Sequence, residues 1–165
     1  MTVRRLLTHL LMPPWRVRQV FPEASLKAIE VAILEFEATH HGEIRFAVEA
    51  ALNASALWHE QTARDRAIEV FSQLRVWDTA QNNGVLIYLL LADRDVEIIA
   101  DRGINTLVGP DAWELICRDM ETAFRNGDYQ GGVVAGIKAI STLLIWHFPA
   151  EGPNRNELPD SPVVL

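Results

Sequence analysis

A single cysteine, Cys117, stands in the 165-residue sequence, which excludes an intramolecular disulfide and a thiolate metal cluster. Trp113, Cys117, Met120 and Phe124 recur at helical spacing, so the thiol belongs to a buried stripe with no histidine nearby in the sequence to activate it. Long apolar runs are missing too. The longest candidate, 137–148, falls short of the roughly 20 residues of a membrane span and is broken by Lys138, Ser141, Thr142 and His147. There is no HExxH, no phosphate-cradling Gly-rich loop, no Ser-His-Asp arrangement and no Cys-x5-Arg pair. Positive charge is in deficit, with 15 Lys and Arg against 22 Asp and Glu and a net charge of −7. A sequence pI near 5.2 argues against general nucleic-acid binding, which needs cations to neutralise phosphates, and favours a metal cation or a basic partner.

What is present fits one globular domain, 49% hydrophobic and 22% charged. Its charge is unevenly placed. The first 22 residues carry Arg4, Arg5, Arg16 and Arg18 and no acid, a local +4 that leaves −11 for the rest. Leu6, Leu7, Leu10 and Leu11 share one helical face until Pro13-Pro14 stops it, so residues 1–20 read as a basic amphipathic arm. Its leucines are expected to cap the protein's own core; the alternative is peripheral contact with anionic lipid. Thr8 and His9 interrupt the apolar patch and no small-x-small cleavage site follows, so a cytoplasmic protein, at most peripheral to a membrane, is expected.

After Phe21-Pro22, the spacing of Leu26, Ile29, Ile33 and Phe36 predicts a helix ending near His41-Gly42. Residues 43–52 alternate as a half-exposed strand, and 53–60 read as a loop or short turn. Thr62-Ala63-Arg64-Asp65 matches a capping box and opens a helix that buries Ala63, Ala67, Val70, Phe71 and Leu74. The apolar run 85–91 and its partner 96–100 flank Asp93-Arg94-Asp95, which predicts an antiparallel hairpin. Gly109-Pro110-Asp111 prepares the next helix, and the last begins near Tyr129. Gly131, Gly132 and Gly136 in that last helix imply close approach by another backbone. Residues 149–165, Pro-rich and polar, read as a flexible tail after a body spanning 21–148. The order of elements predicts an α/β layer fold around a small mixed sheet.

Hard cations take carboxylate and carbonyl oxygens. Asp78, Asn83 and Asp101 form the first candidate set, because the loop before one strand and the end of its antiparallel neighbour converge on one edge of the sheet. Glu43 joins them if its strand runs the same way, and Arg102 would supply a cation beside Asp101. Asp93 and Arg94 belong at the opposite end of a regular hairpin, so the two sets do not share one compact site. The bland alternative is that these acids stop strands and cap turns, paired with the arginines. The neighbouring His40 and His41 diverge on a helix and make a weak metal pair; at a helix end they favour its dipole instead.

A helix followed by GEIRFAVE, then NNGVLIYLLL, an ADR turn, EIIADRG, and a helix ending FRNGDYQGG together resemble the TPM-domain family over about 21–148. The ordered set carries the resemblance, and Asp93-Arg94 match its turn motif. Asp101 stands where many members have an uncharged residue. The resemblance implies a three-layer α/β sandwich with a small mixed central sheet flanked by helices, in a soluble bacterial branch. It also implies an acidic cleft holding a divalent cation, Ca2+ or Mg2+. The reading it supports is a cation-binding accessory module with a protein partner, membrane-associated or cytoplasmic. The alternative it implies is a metal-dependent acid phosphatase, since a plant thylakoid-lumen member is associated with that activity.

Overall fold

The computed structural model describes residues 2–165, so Met1, the first residue of the expected arm, lies outside them. The elements are α1 (Val3–Leu11), α2 (Arg16–Val20), α3 (Glu23–Glu37), β1 (Glu43–Glu49), α4 (Ala54–Trp58), α5 (Ala63–Gln73), β2 (Gly84–Leu90), β3 (Asp95–Ala100), α6 (Arg102–Val108), α7 (Pro110–Arg125), α8 (Tyr129–His147) and β4 (Val163–Val164). The sheet runs in the order β3-β2-β1-β4. β1 is parallel to both β2 and β4, while β2 and β3 form the antiparallel hairpin. The helical connection between β1 and β2 is the crossover that parallel neighbours require.

Alternation along the strands divides the core in two. Ile44, Phe46 and Val48 join Val85, Ile87, Leu89, Val96 and Ile98 on the face covered by α3, α7 and α8. Ala47, Leu86, Tyr88, Leu90 and Ile99 meet α4 and α5 on the other. The result is the expected three-layer α/β sandwich with a small mixed sheet. Thr62 and Asp65 close the predicted capping box at the start of α5. That helix is tied to the sheet by Arg66, whose Nε and Nη2 donate to the Glu49 carboxylate at 2.9 and 3.2 Å, while Tyr88 Oη donates to the same carboxylate at 2.7 Å.

Several expectations change. β1 is buried rather than half-exposed, because its polar face is covered by the C-terminal segment and by α5. The loop at 53–60 contains α4, capped by Asn53, and α2 and α6 add short helices the periodicity does not announce. The glycines of α8 accommodate side chains rather than another backbone: Ala123 and Phe124 crowd Gly132, and Met120 crowds Gly136. Residues 149–165, read from composition as a flexible tail, are docked along β1. Asn154 Nδ2 donates to the carbonyls of Glu37 and His40 at 2.9 and 2.8 Å, Leu158 is buried in the second core, and β4 extends the sheet.

Candidate functional site

The turn before β2 and the end of β3 lie side by side, since Asp101 N donates to Gly84 O at 2.9 Å. Gly84 sits so close to the Val76 carbonyl that a β-carbon would collide with it, which fixes the entry of β2. One residue earlier, Asn83 is fully buried: its N donates to Thr79 Oγ1 at 3.1 Å and its Nδ2 to His41 O at 3.0 Å. Its Oδ1 has no partner. Asp101, 7% exposed, caps α6 by accepting from Arg102 N at 2.7 Å through Oδ1, and its Oδ2 is likewise buried without a partner. The carbonyls of Gln81 and Asn82 crowd Gly103 so tightly that a β-carbon there would fall 2.6 and 2.5 Å from their oxygens. Two oxygen acceptors therefore stand unanswered at one end of the sheet, beside a turn rich in backbone carbonyls.

The other residues proposed for this end have different occupations. Asp78 is exposed and paired with Arg75 at 2.7 Å. Arg102 is exposed. Glu43 lies at the same end, in register with Gly84, but its two carboxylate oxygens accept from Glu157 N and Leu158 N at 3.0 Å each. Burial raises its carboxyl above the usual range. Glu43 is thus a clamp on the C-terminal segment.

Asp93 and Arg94 lie at the far end of the hairpin, as its geometry requires. Asp93 accepts from Arg5 Nη2 at 2.8 Å and contacts His9 Nε2 at 2.9 Å. Leu52 N donates to His9 Nδ1 at 3.0 Å, so the other ring nitrogen carries the proton and donates to Asp93. Against burial, which works to raise it, the hydrogen bonds from Arg5 and His9 hold the Asp93 carboxyl below its usual range. Asp93→Ala is expected to cost about 2 kcal/mol, by leaving the buried His9 Nε2 and the Arg5 guanidinium without their carboxylate partner, and to loosen α1. Faster limited proteolysis near Pro13 would report the loosening; unchanged cleavage would show that α1 is held by other contacts.

Three features lack a local signature. His9, only 3% exposed, is recognisable in the sequence only as an interruption of a leucine patch. A groove of about 510 Å³ follows the free edge of β3, lined among others by Arg64, Asp95, Glu97, Trp113 and Cys117. Burial, with Glu97 and Glu121 nearby, pushes the Asp95 carboxyl up to about 6. Arg64 Nη1 donates to Ile98 O at 3.0 Å and so covers part of the strand edge. Cys117, pushed up to about 12 by burial, is a neutral thiol at physiological pH, as its place on the buried stripe suggests. The third feature is a polar cluster under the C-terminal segment, where Glu37 accepts from Ile44 N at 2.6 Å and faces Asp160 and Glu43. Beside it, His41 Nδ1 donates to Asn154 Oδ1 at 2.9 Å and its Nε2 accepts from Glu151 N at 3.1 Å, so this ring serves the C-terminal segment.

The TPM domain profile matches residues 17–143, most of the chain. The chain belongs to the TPM domain family. It is similar to the BA42 protein from the psychrophilic bacterium Bizionia argentinensis, at 32% identity and a TM-score of 0.76 over 86% of this chain and 93% of that one. It also shares its fold with the N-terminal domain of a protein from P. gingivalis, at 18% identity and a TM-score of 0.61, over 82% and 89% of the two chains. No curated protein matches.

In this TPM domain the donor set at the Asn83 end is a carboxylate, a side-chain amide oxygen and backbone carbonyls. That is hard-cation chemistry, and the two orphaned oxygens fit it. Among the described residues no group of three or more His, Cys, Asp or Glu is arranged to hold a metal, so a cation there would rely on carbonyls and water for its remaining ligands. Also among the described residues, no helix is long and apolar enough to cross a membrane.

Proposed function

We propose that this TPM domain is a divalent-cation-binding interaction module, with Asn83 and Asp101 supplying side-chain oxygens to calcium or magnesium. The observation that carries the reading is the pair of buried, unpartnered acceptors, Asn83 Oδ1 and Asp101 Oδ2, on adjoining positions of the β2–β3 end. A buried acceptor without a donor is costly, and a bound cation would answer it. Asp78 takes no part in this reading, being committed to Arg75 at the surface. Support for a binding rather than a catalytic role comes from the side chains a reaction would recruit. Cys117 is a protonated thiol, His40 is pushed down to about 4 by burial and stays neutral, and Glu43 is spent on the C-terminal segment.

The test is calorimetric titration of calcium and magnesium into wild type, Asp101→Ala and Asp78→Ala, with a generic phosphate ester assayed in the same samples. The expected result is binding by wild type and Asp78→Ala, at least tenfold weaker binding by Asp101→Ala, and no hydrolysis. No binding by wild type would overturn the reading. Hydrolysis that Asp101→Ala abolishes would replace it with the metal-dependent phosphatase, in which Arg102 would stabilise the negative charge developing on the phosphate.

A further inference from the structure

Helix α1 is mounted inside out. Its inward side carries Arg5, bound to Asp93 and to Gln61 O, and the buried His9, bound to Asp93 and Leu52 N. Leu6 alone of its leucines packs against the core. The outward side carries Val3, Leu7, Leu10 and Leu11, the last 77% exposed, and Trp15 follows at 63%. Single exposed apolar residues need no explanation, but five within thirteen residues on one short element form a patch. The polar anchors mean that the patch cannot turn inward without breaking the Asp93 network.

The surroundings of the patch say what it meets. Arg4, Arg16 and Arg18 are exposed among these residues. Arg94 shares a cleft with Arg4, and Arg125 shares the adjoining one with Arg94. This end of the sheet is therefore fringed with guanidinium groups in a protein whose net charge is −7. A second copy docking through the same patch would bring two arginine fringes together. A bilayer with anionic headgroups answers both features: it takes protruding aliphatic side chains without a matching groove, seats an indole at the interface, and attracts arginines around them.

We infer that α1, with Trp15 and the fringe of Arg4, Arg16, Arg18 and Arg94, is a docking surface for anionic phospholipid membranes, held in its exposed pose by Asp93. Because Asp93 and Asp101 lie at opposite ends of the hairpin, docking leaves the Asn83 and Asp101 end facing away from the bilayer. The surface is independent of the cation reading.

Vesicle flotation in EDTA tests it, with phosphatidylcholine alone and with phosphatidylcholine and phosphatidylserine at about 7:3. The expected result is binding only to the serine-containing vesicles, weakened at high salt. Leu7→Gln/Leu10→Gln/Leu11→Gln is expected to lower partitioning at least tenfold, and Arg4→Glu/Arg94→Glu about fivefold or more per arginine. All five side chains are exposed, so unchanged circular dichroism and thermal transition would confirm that the variants fold. No flotation of wild type at low salt would overturn the inference, as would equal flotation of the leucine variant. Self-association in solution that the leucine variant abolishes, without vesicle binding, would assign the patch to a second copy and overturn it equally.

Discussion

Glu37→Gln is expected to raise stability at pH 7 by about 3 kcal/mol and to remove a decline in stability toward pH 9. Glu37 is 7% exposed, and burial pushes its carboxyl up to about 9 from an ordinary 4.5, with Glu43 and Asp160 adding to the effect. The folded state thus keeps a proton that the unfolded chain releases above pH 4.5, so stability falls as pH rises from 4.5 to about 9. His40 works in the other direction. Burial lowers it to about 4 from 6.5, so the unfolded chain takes up a proton below pH 6.5 that the folded state refuses until about pH 4. The two slopes oppose each other between pH 4.5 and 6.5, and above 6.5 Glu37 acts without that opposition. Glutamine keeps the acceptor for Ile44 N without an ionisable proton. Urea midpoints at pH 7, 8 and 9 decide the matter: wild type should lose up to ~1.4 kcal/mol per pH unit and the variant should be flat. Parallel declines in the two proteins would mean that the slope arises elsewhere.

Glu49→Ala is expected to destabilise by about 3 kcal/mol, because one carboxylate serves both the buried Tyr88 hydroxyl and Arg66, whose other carboxylate partner, Glu69, is exposed. Its loss leaves the fully buried Tyr88 hydroxyl without an acceptor and leaves Arg66 with only its Nη1 contact to the exposed Glu69 at 3.1 Å. Adding Tyr88→Phe to Glu49→Ala is expected to recover about 1 kcal/mol by deleting the stranded hydroxyl. A double-mutant cycle in urea reads the coupling directly. Additive losses would show that Tyr88 and Glu49 act separately and that their 2.7 Å hydrogen bond contributes nothing measurable.

The hairpin was legible because its evidence is local: an apolar run, a charged turn and a second run, with Asn83 and Asp101 necessarily at one end and Asp93 at the other. The capping box at Thr62 and the helix entry at Pro110 are local in the same sense. The orientation of α1 was not legible. Its amphipathic pattern says that one face is apolar, and the usual inference is that this face turns inward, but the direction is set by His9 and Asp93, 84 residues apart. The C-terminal segment misleads for the same reason. Its proline and polar residues mimic disorder, yet its backbone amides find the Glu43 carboxylate 114 and 115 residues away.

The candidate site divides along the same line. Oxygen donors near one strand end were readable from residue type and hairpin geometry, whereas hydrogen bonding within the fold separated them: Asp78 went to Arg75, Glu43 to the C-terminal segment, and Asn83 and Asp101 kept unpaired oxygens. The sequence by itself determined the layered α/β class, the hairpin and the types of ligand atom on offer, because turn chemistry and periodicity act over a few residues. Only the tertiary structure decided which acids stay free and which face of α1 meets solvent, because those outcomes depend on partners brought together from distant parts of the chain.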